Sequence, residues 1–127
     1  MFTKKFATRL NSLKSNWKNQ ELPSIKDLIK RASTVNDLTH LDLNYPDHSK
    51  PSIKEISKFT NDCGLKINGL AMRYYTNPSF KLGAFTNPNK QVRQEAIDLT
   101  KKAIDVLRDI DSNLLTIWLG QDGFDYG

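Results

Sequence analysis

The sequence predicts an α/β fold in which four parallel strands alternate with three helices. Three observations carry that expectation. Pro23-Ser24-Ile25-Lys26-Asp27 and Pro51-Ser52-Ile53-Lys54-Glu55 are matching helix-opening strings 28 residues apart, the period of a repeating helix–strand unit. Each helix leads into a short apolar segment with a polar or aromatic end, Asn44-Tyr45 in one and Arg73-Tyr74-Tyr75 in the other. A long amphipathic stretch then precedes a nearly continuous apolar run, Leu114 to Leu119. Strands joined by helices run parallel, with right-handed crossovers.

Taken in order, Phe6 to Leu13 reads as the first strand, followed by a polar stretch to Leu22. Ser24 caps the first helix, and Asp27 sits where a carboxylate favours the exposed N–H groups. Ile25, Leu28, Ile29 and Ala32 then recur at helical spacing. The second strand, Thr39 to Tyr45, alternates apolar and polar side chains. Ser52 and Glu55 form a capping-box pattern for the second helix, Ile53, Ile56 and Phe59 supply its apolar stripe, and Gly64 ends it. The third strand lies within Leu65–Tyr75. Two Asn-Pro pairs mark residues 76–91 as an irregular connection. In the third helix Val92, Ala96, Leu99, Ala103, Val106, Leu107 and Ile110 line one face and charged residues the other. The run Leu114–Leu119 has the pattern of a parallel strand covered on both faces.

Composition narrows the function classes. With 127 residues the chain fits one domain, and 38% hydrophobic content is enough for a packed core. No apolar run approaches the roughly 18 residues a membrane helix needs, and Met1–Asn11 lacks the apolar core of a signal peptide. Cys63 is the one cysteine, so neither an internal disulfide nor a cysteine zinc site is available, and a cytoplasmic setting is expected. The net charge of +5 is local: residues 1–31 carry eight basic side chains against Glu21 and Asp27, and the remaining 96 carry 11 basic and 12 acidic. No aromatic-interleaved basic stripe accompanies this excess, so it reads as a solvated surface and a nucleic-acid partner is not expected. No phosphate-binding glycine loop, zinc pattern or nucleophile elbow is present.

In parallel α/β sheets ligands bind at the carboxyl ends of the strands. Those ends carry Asn11 and Ser12; Asn44, Tyr45, Asp47 and His48; Arg73, Tyr74 and Tyr75; and Trp118, Gln121 and Asp122. Aromatic rings with amides and carboxylates suit a sugar, whose C–H faces and hydroxyls they match. His40 and His48 bracket the second strand, up to about 26 Å apart at roughly 3.3 Å per residue, too far to share a metal. His40, at the amino end, reads as structural. His48 is the histidine on the ligand side, able to serve as acid, base or hydrogen-bond partner. Cys63 reads as packing, and Asp122 and Asp125 as turn-forming residues.

Four segments, Phe6–Ser12, His40–His48, Gly69–Tyr74 and Ile117–Tyr126, resemble the xylose isomerase-like TIM-barrel family, and more closely its bacterial sugar isomerases. The resemblance implies the amino-terminal half of a (β/α)8 barrel, since a whole barrel takes about 250 residues. It implies aldose–ketose isomerisation of a monosaccharide with manganese, magnesium or cobalt, and a homo-oligomer in the full-length form. His48 falls where these isomerases place a histidine that contacts the sugar, and Trp118 where they place an aromatic wall of the pocket. Arg73, Gln121 and Asp122 carry over by position as substrate-binding residues. The family's metal ligands lie on later strands, so the metal is expected on residues outside this chain. The loop 76–91, with Phe80 and Phe85, is expected over the ligand face. An epimerase or an endonuclease-type hydrolase on the same fold is an alternative, favoured slightly by the basic amino-terminal third. A non-catalytic, self-associating half-barrel is another, because four parallel strands leave two open edges.

Overall fold

The computed structural model describes residues 4–16, 22–50 and 52–119. Strands β1 (Phe6–Arg9), β2 (Leu38–Tyr45), β3 (Lys66–Met72) and β4 (Leu114–Thr116) form one parallel sheet in the order β1-β2-β3-β4. Helices α1 (Ile25–Ala32), α2 (Ile53–Asp62) and α3 (Lys90–Asp109) connect them, α1 beside α2 and α2 beside α3. A strand order that follows the chain without reversal, with its helices on one face, is consistent with half of a barrel wall. A doubly wound sheet reverses at a switch point and carries helices on both faces. Among the described residues no helix is long and apolar enough to cross a membrane.

The core sits between the sheet and the three helices. Leu41, Leu43 and Tyr45 of β2 face it at the strand period of two. On β3 the core residues are Ile67, Leu70 and Met72, a spacing that breaks that period. The break is a bulge: Leu41 pairs with Ile67 and Asp42 with Gly69, which leaves Asn68 as the extra residue. The Asn68 side chain donates to Asp42 Oδ1 at 2.8 Å, and its own backbone C=O accepts from Ser112 Oγ at 2.6 Å. On α3 the buried residues are Ala96, Ala103 and Leu107, all on the face the periodicity selects.

The two helix-opening strings behave differently. At α1 the capping box is complete: Asp27 N–H donates to Ser24 Oγ at 3.2 Å, and Ser24 N–H donates to Asp27 Oδ2 at 3.0 Å. The Ser24 hydroxyl also donates to Asp27 Oδ2 at 2.6 Å, and this bond, then that of the Ser24 N–H, holds the Asp27 carboxyl below the usual carboxylate range. At α2 the expected box does not form. Ser52 makes no cap bond, and its backbone (φ −149°, ψ 129°) is not that of Ser24 (φ −69°, ψ 163°). Ser24→Ala is therefore expected to cost about 1 kcal/mol in a denaturation curve, a full N-cap contribution. Ser52→Ala should shift the same curve clearly less. Gly64 ends α2 as expected, in the left-handed region at φ +79°.

Two strand expectations need correction. The first strand stops at Arg9, and Leu10–Lys14 turn into a 3-10 helix. This turn seats the fully buried Leu10 in the core, and Arg31 Nη1 ties it to α1 through Leu13 O (2.7 Å) and Ser15 O (2.9 Å). The fourth strand is regular only over Leu114–Thr116, and it is not covered on both faces. Leu114, Ile117, Trp118 and Leu119 are each about half exposed, because β4 is an edge strand paired with β3 alone among the described residues.

Candidate functional site

The carboxyl ends of the strands bring several of the candidate side chains together. His48 lies three residues beyond β2 and is 5% exposed. It closes a tight turn onto the strand end: His48 N–H donates to Asn44 O at 2.8 Å, and Asn44 N–H donates to His48 Nδ1 at 3.0 Å. A backbone N–H can only donate, so Nδ1 is the bare nitrogen and the ring proton sits on Nε2. That N–H points at Asn11 Oδ1, 3.1 Å away in the turn after β1. Burial, then the charge of Lys14, pushes the imidazole pKa down to about 4, with Asp47 opposing and Arg73 adding to the shift. His48 is thus a neutral hydrogen-bond donor at ordinary pH, not a stored proton.

Arg73 leaves the end of β3 beside this turn. Its Nη1 is 3.5 Å from Asp47 Oδ2, and its guanidinium lies 4.8 Å from the centre of the Tyr75 ring. Thr76 Oγ1 donates to Asp47 Oδ1 at 3.2 Å, so Asp47 is held from two sides. Arg73 Nε is buried and has no hydrogen-bond partner among the described residues.

Trp118 follows β4 and is half exposed, with the guanidinium of Arg9 5.2 Å from its ring centre. Arg9 belongs to β1, the opposite edge of the sheet. In a flat sheet these strands would stand about 14 Å apart, at roughly 4.8 Å per spacing. Their contact brings side chains from the two edges of the sheet together at its carboxyl end. Gln121 and Asp122, the other two candidate substrate-binding residues, lie outside the described residues.

Tyr74 and the connection after it take a different role from the one expected. Tyr74 and Phe80 are each only 3% exposed. Tyr74 packs edge-to-face with Phe80 and Phe85, and its hydroxyl shares a 2.6 Å hydrogen bond with Thr100 Oγ1 of α3. Phe80 and Phe85 thus pack around Tyr74, which is tied to α3. Sequence reasoning missed Asn11 as the partner of His48 and Arg9 as the partner of Trp118. No local signal links residues 37 or 109 positions apart. His40 stands at the other end of β2, as expected, and among the described residues no three His, Cys, Asp or Glu side chains gather as a metal site.

No protein-family model matches the chain. A stretch of 78 residues, 61% of the chain, is 26% identical to the xylose isomerase of Thermus thermophilus and covers 20% of that protein. A stretch of 92 residues, 70% of the chain, is 25% identical to the xylose isomerase of Fervidobacterium gondwanense and covers 21% of it. The chain is distantly similar to xylose isomerases. The match spans about a fifth of the length of each of these relatives. The similarity to xylose isomerases agrees with the α/β class and the four-stranded parallel sheet.

Proposed function

We propose that these residues form the amino-terminal half of the barrel of a sugar isomerase, and that they contribute the sugar-facing wall of its pocket. One observation carries the reading. In a chain similar to xylose isomerases, a buried neutral histidine, an Arg–Asp pair and an accessible tryptophan converge at the carboxyl end of one parallel sheet. His48 is the catalytic residue of this proposal: its Nε2–H, given to Asn11 in the empty pocket, passes to a sugar oxygen and orients the open-chain aldose. Trp118 supplies a flat apolar wall for the sugar's C–H face. Arg73, braced by Asp47, presents donors to hydroxyls, and Gln121 and Asp122 keep the substrate-binding role their positions imply.

A divalent metal ion, manganese, magnesium or cobalt, belongs to this reading and polarises the sugar carbonyl when bound. Among the described residues no cluster of three His, Cys, Asp or Glu side chains fits it, and the proposal puts its ligands on residues outside them. A cytoplasmic homo-oligomer completes the proposal.

The test incubates the purified full-length protein with a panel of aldoses and ketoses and Mn2+, with interconversion read by NMR. Ketose formation that stops on chelation is the expected result. His48→Ala should lower turnover about 100-fold or more, the scale of a lost acid–base or orienting group. No interconversion of any sugar, or unchanged kinetics in His48→Ala, rejects the assignment. A salt-dependent affinity for DNA would instead favour the hydrolase alternative.

A further inference from the structure

A cleft lies at the other end of the sheet. It has a volume of about 680 Å³ and opens between the amino-terminal ends of β1–β3 and the carboxyl ends of α2 and α3. That size is within the range of small-molecule sites.

Three nitrogen-bearing side chains, Lys5, His40 and Lys66, line the cleft. His40 is the Cα partner of Lys66, so these two share a face. Lys5 lies just before β1, at the end where the β1–β2 register shifts. Among the described residues neither lysine has a carboxylate within ion-pairing distance. From the opposite wall α2 offers a hydroxyl and an amide, Ser57 and Asn61.

The hydrogen bonds of His40 aim it into this space. The Thr39 hydroxyl donates to Phe6 O and accepts from Phe6 N–H, both at 3.1 Å. His40 Nδ1 shares a 2.7 Å hydrogen bond with that oxygen. Nε2 is left without a partner among the described residues. Burial, then the charges of Lys5 and Lys66, lowers the His40 pKa, against a smaller opposite effect of Asp42. Two carboxylates, Asp109 and Asp111, also line the cleft, and Asp109 is paired with Lys54 at 3.3 Å.

We propose that this cleft is a second ligand site that takes the phosphate group of a small phosphorylated metabolite on Lys5, His40 and Lys66, with the rest of the molecule against Ser57 and Asn61. Phosphate oxygens accept charge-assisted bonds from both ammonium groups. The anion also favours a protonated His40, whose Nε2–H is a third donor. A bare phosphate fills a small part of the volume, which is why the proposal commits to an ester. The site is independent of the sugar chemistry assigned to the opposite end, and its test needs no activity.

The probes are inorganic phosphate and glucose 6-phosphate, titrated into the protein with ¹⁵N-labelled histidine and followed by calorimetry and NMR. The expected result is saturable binding of the ester, at least about tenfold tighter than inorganic phosphate. The His40 ring signals should move toward the protonated form while those of His48 stay in place. Lys5→Gln with Lys66→Gln should weaken binding by roughly tenfold or more, and Lys66→Arg should retain it. Three results overturn the proposal. One is no saturable binding at millimolar ester, which leaves the lysines as counter-charges to the carboxyl ends of α2 and α3. The others are equal affinity for free phosphate and binding that the double variant leaves unchanged.

Discussion

Acidification from pH 7 to about 4 is expected to cost the fold about 3 kcal/mol through His48 alone, from a pKa that falls from 6.5 in the unfolded chain to about 4 in the folded one. The sign follows from proton binding. Between those two values the unfolded chain holds a proton on this imidazole and the folded chain does not, so stability rises with pH across the window. It is full above about 6.5, declines as the pH falls, and levels off near 4. The cause is geometric: the ring is 5% exposed, Asn44 N–H occupies Nδ1, and Nε2 meets the neutral amide oxygen of Asn11. Protonation would put a second N–H against the Asn44 N–H and place a charge in a buried site. Chemical denaturation at several pH values, in the native protein and in His48→Gln, measures the effect. The native protein should lose stability more steeply between pH 6.5 and 4 than the variant. Parallel curves would mean that the ring titrates as a solvent-exposed histidine.

Gly69→Ala is expected to destabilise the sheet by about 1–3 kcal/mol, the usual cost of forcing an extra carbon into a packed site. A Cβ at this position would stand 2.6 Å from Leu114 O and 2.9 Å from Leu114 Cβ. The obstruction is partly backbone, so no side-chain rotation relieves it, and β4 must move away from β3. Gly69 is the Cα partner of Leu114 at the start of β4 and of Asp42 on its other side. The loss should therefore concentrate in β4. Hydrogen exchange at Leu115 and Thr116 should quicken in Gly69→Ala well beyond exchange in β2, and the denaturation midpoint should fall. Native-like exchange in β4 would show that the two strands have slack the geometry denies.

The same two residues mark the border between what is legible in sequence and what is not. Gly69 in a strand signals a bulge or a close approach, and both are present. Yet which strand comes close is decided by pairing with a segment 45 residues later. His48 was legible as a ligand-side histidine from its place after β2. Its tautomer, its neutrality and its bond to Asn11 were not, because each depends on the turn that replaces the end of the first strand.

The sequence by itself determined the elements and their order. Helical spacing marked the buried face of α3, the Ser24–Asp27 box started α1, and Gly64 stopped α2, because all of these act within about one turn of the chain. It also determined that the strands are parallel, since a helix stands between each pair. The tertiary structure decided the rest. Ser52 fails as a cap because the chain enters α2 at a different backbone angle. Phe80 and Phe85 pack around Tyr74 because burial removes apolar rings from water. Arg9 meets Trp118, and Lys5, His40 and Lys66 line one cleft, because strand pairing brings distant residues together. Local sequence signals report near neighbours, whereas both candidate sites are made by strands that meet only when the sheet forms.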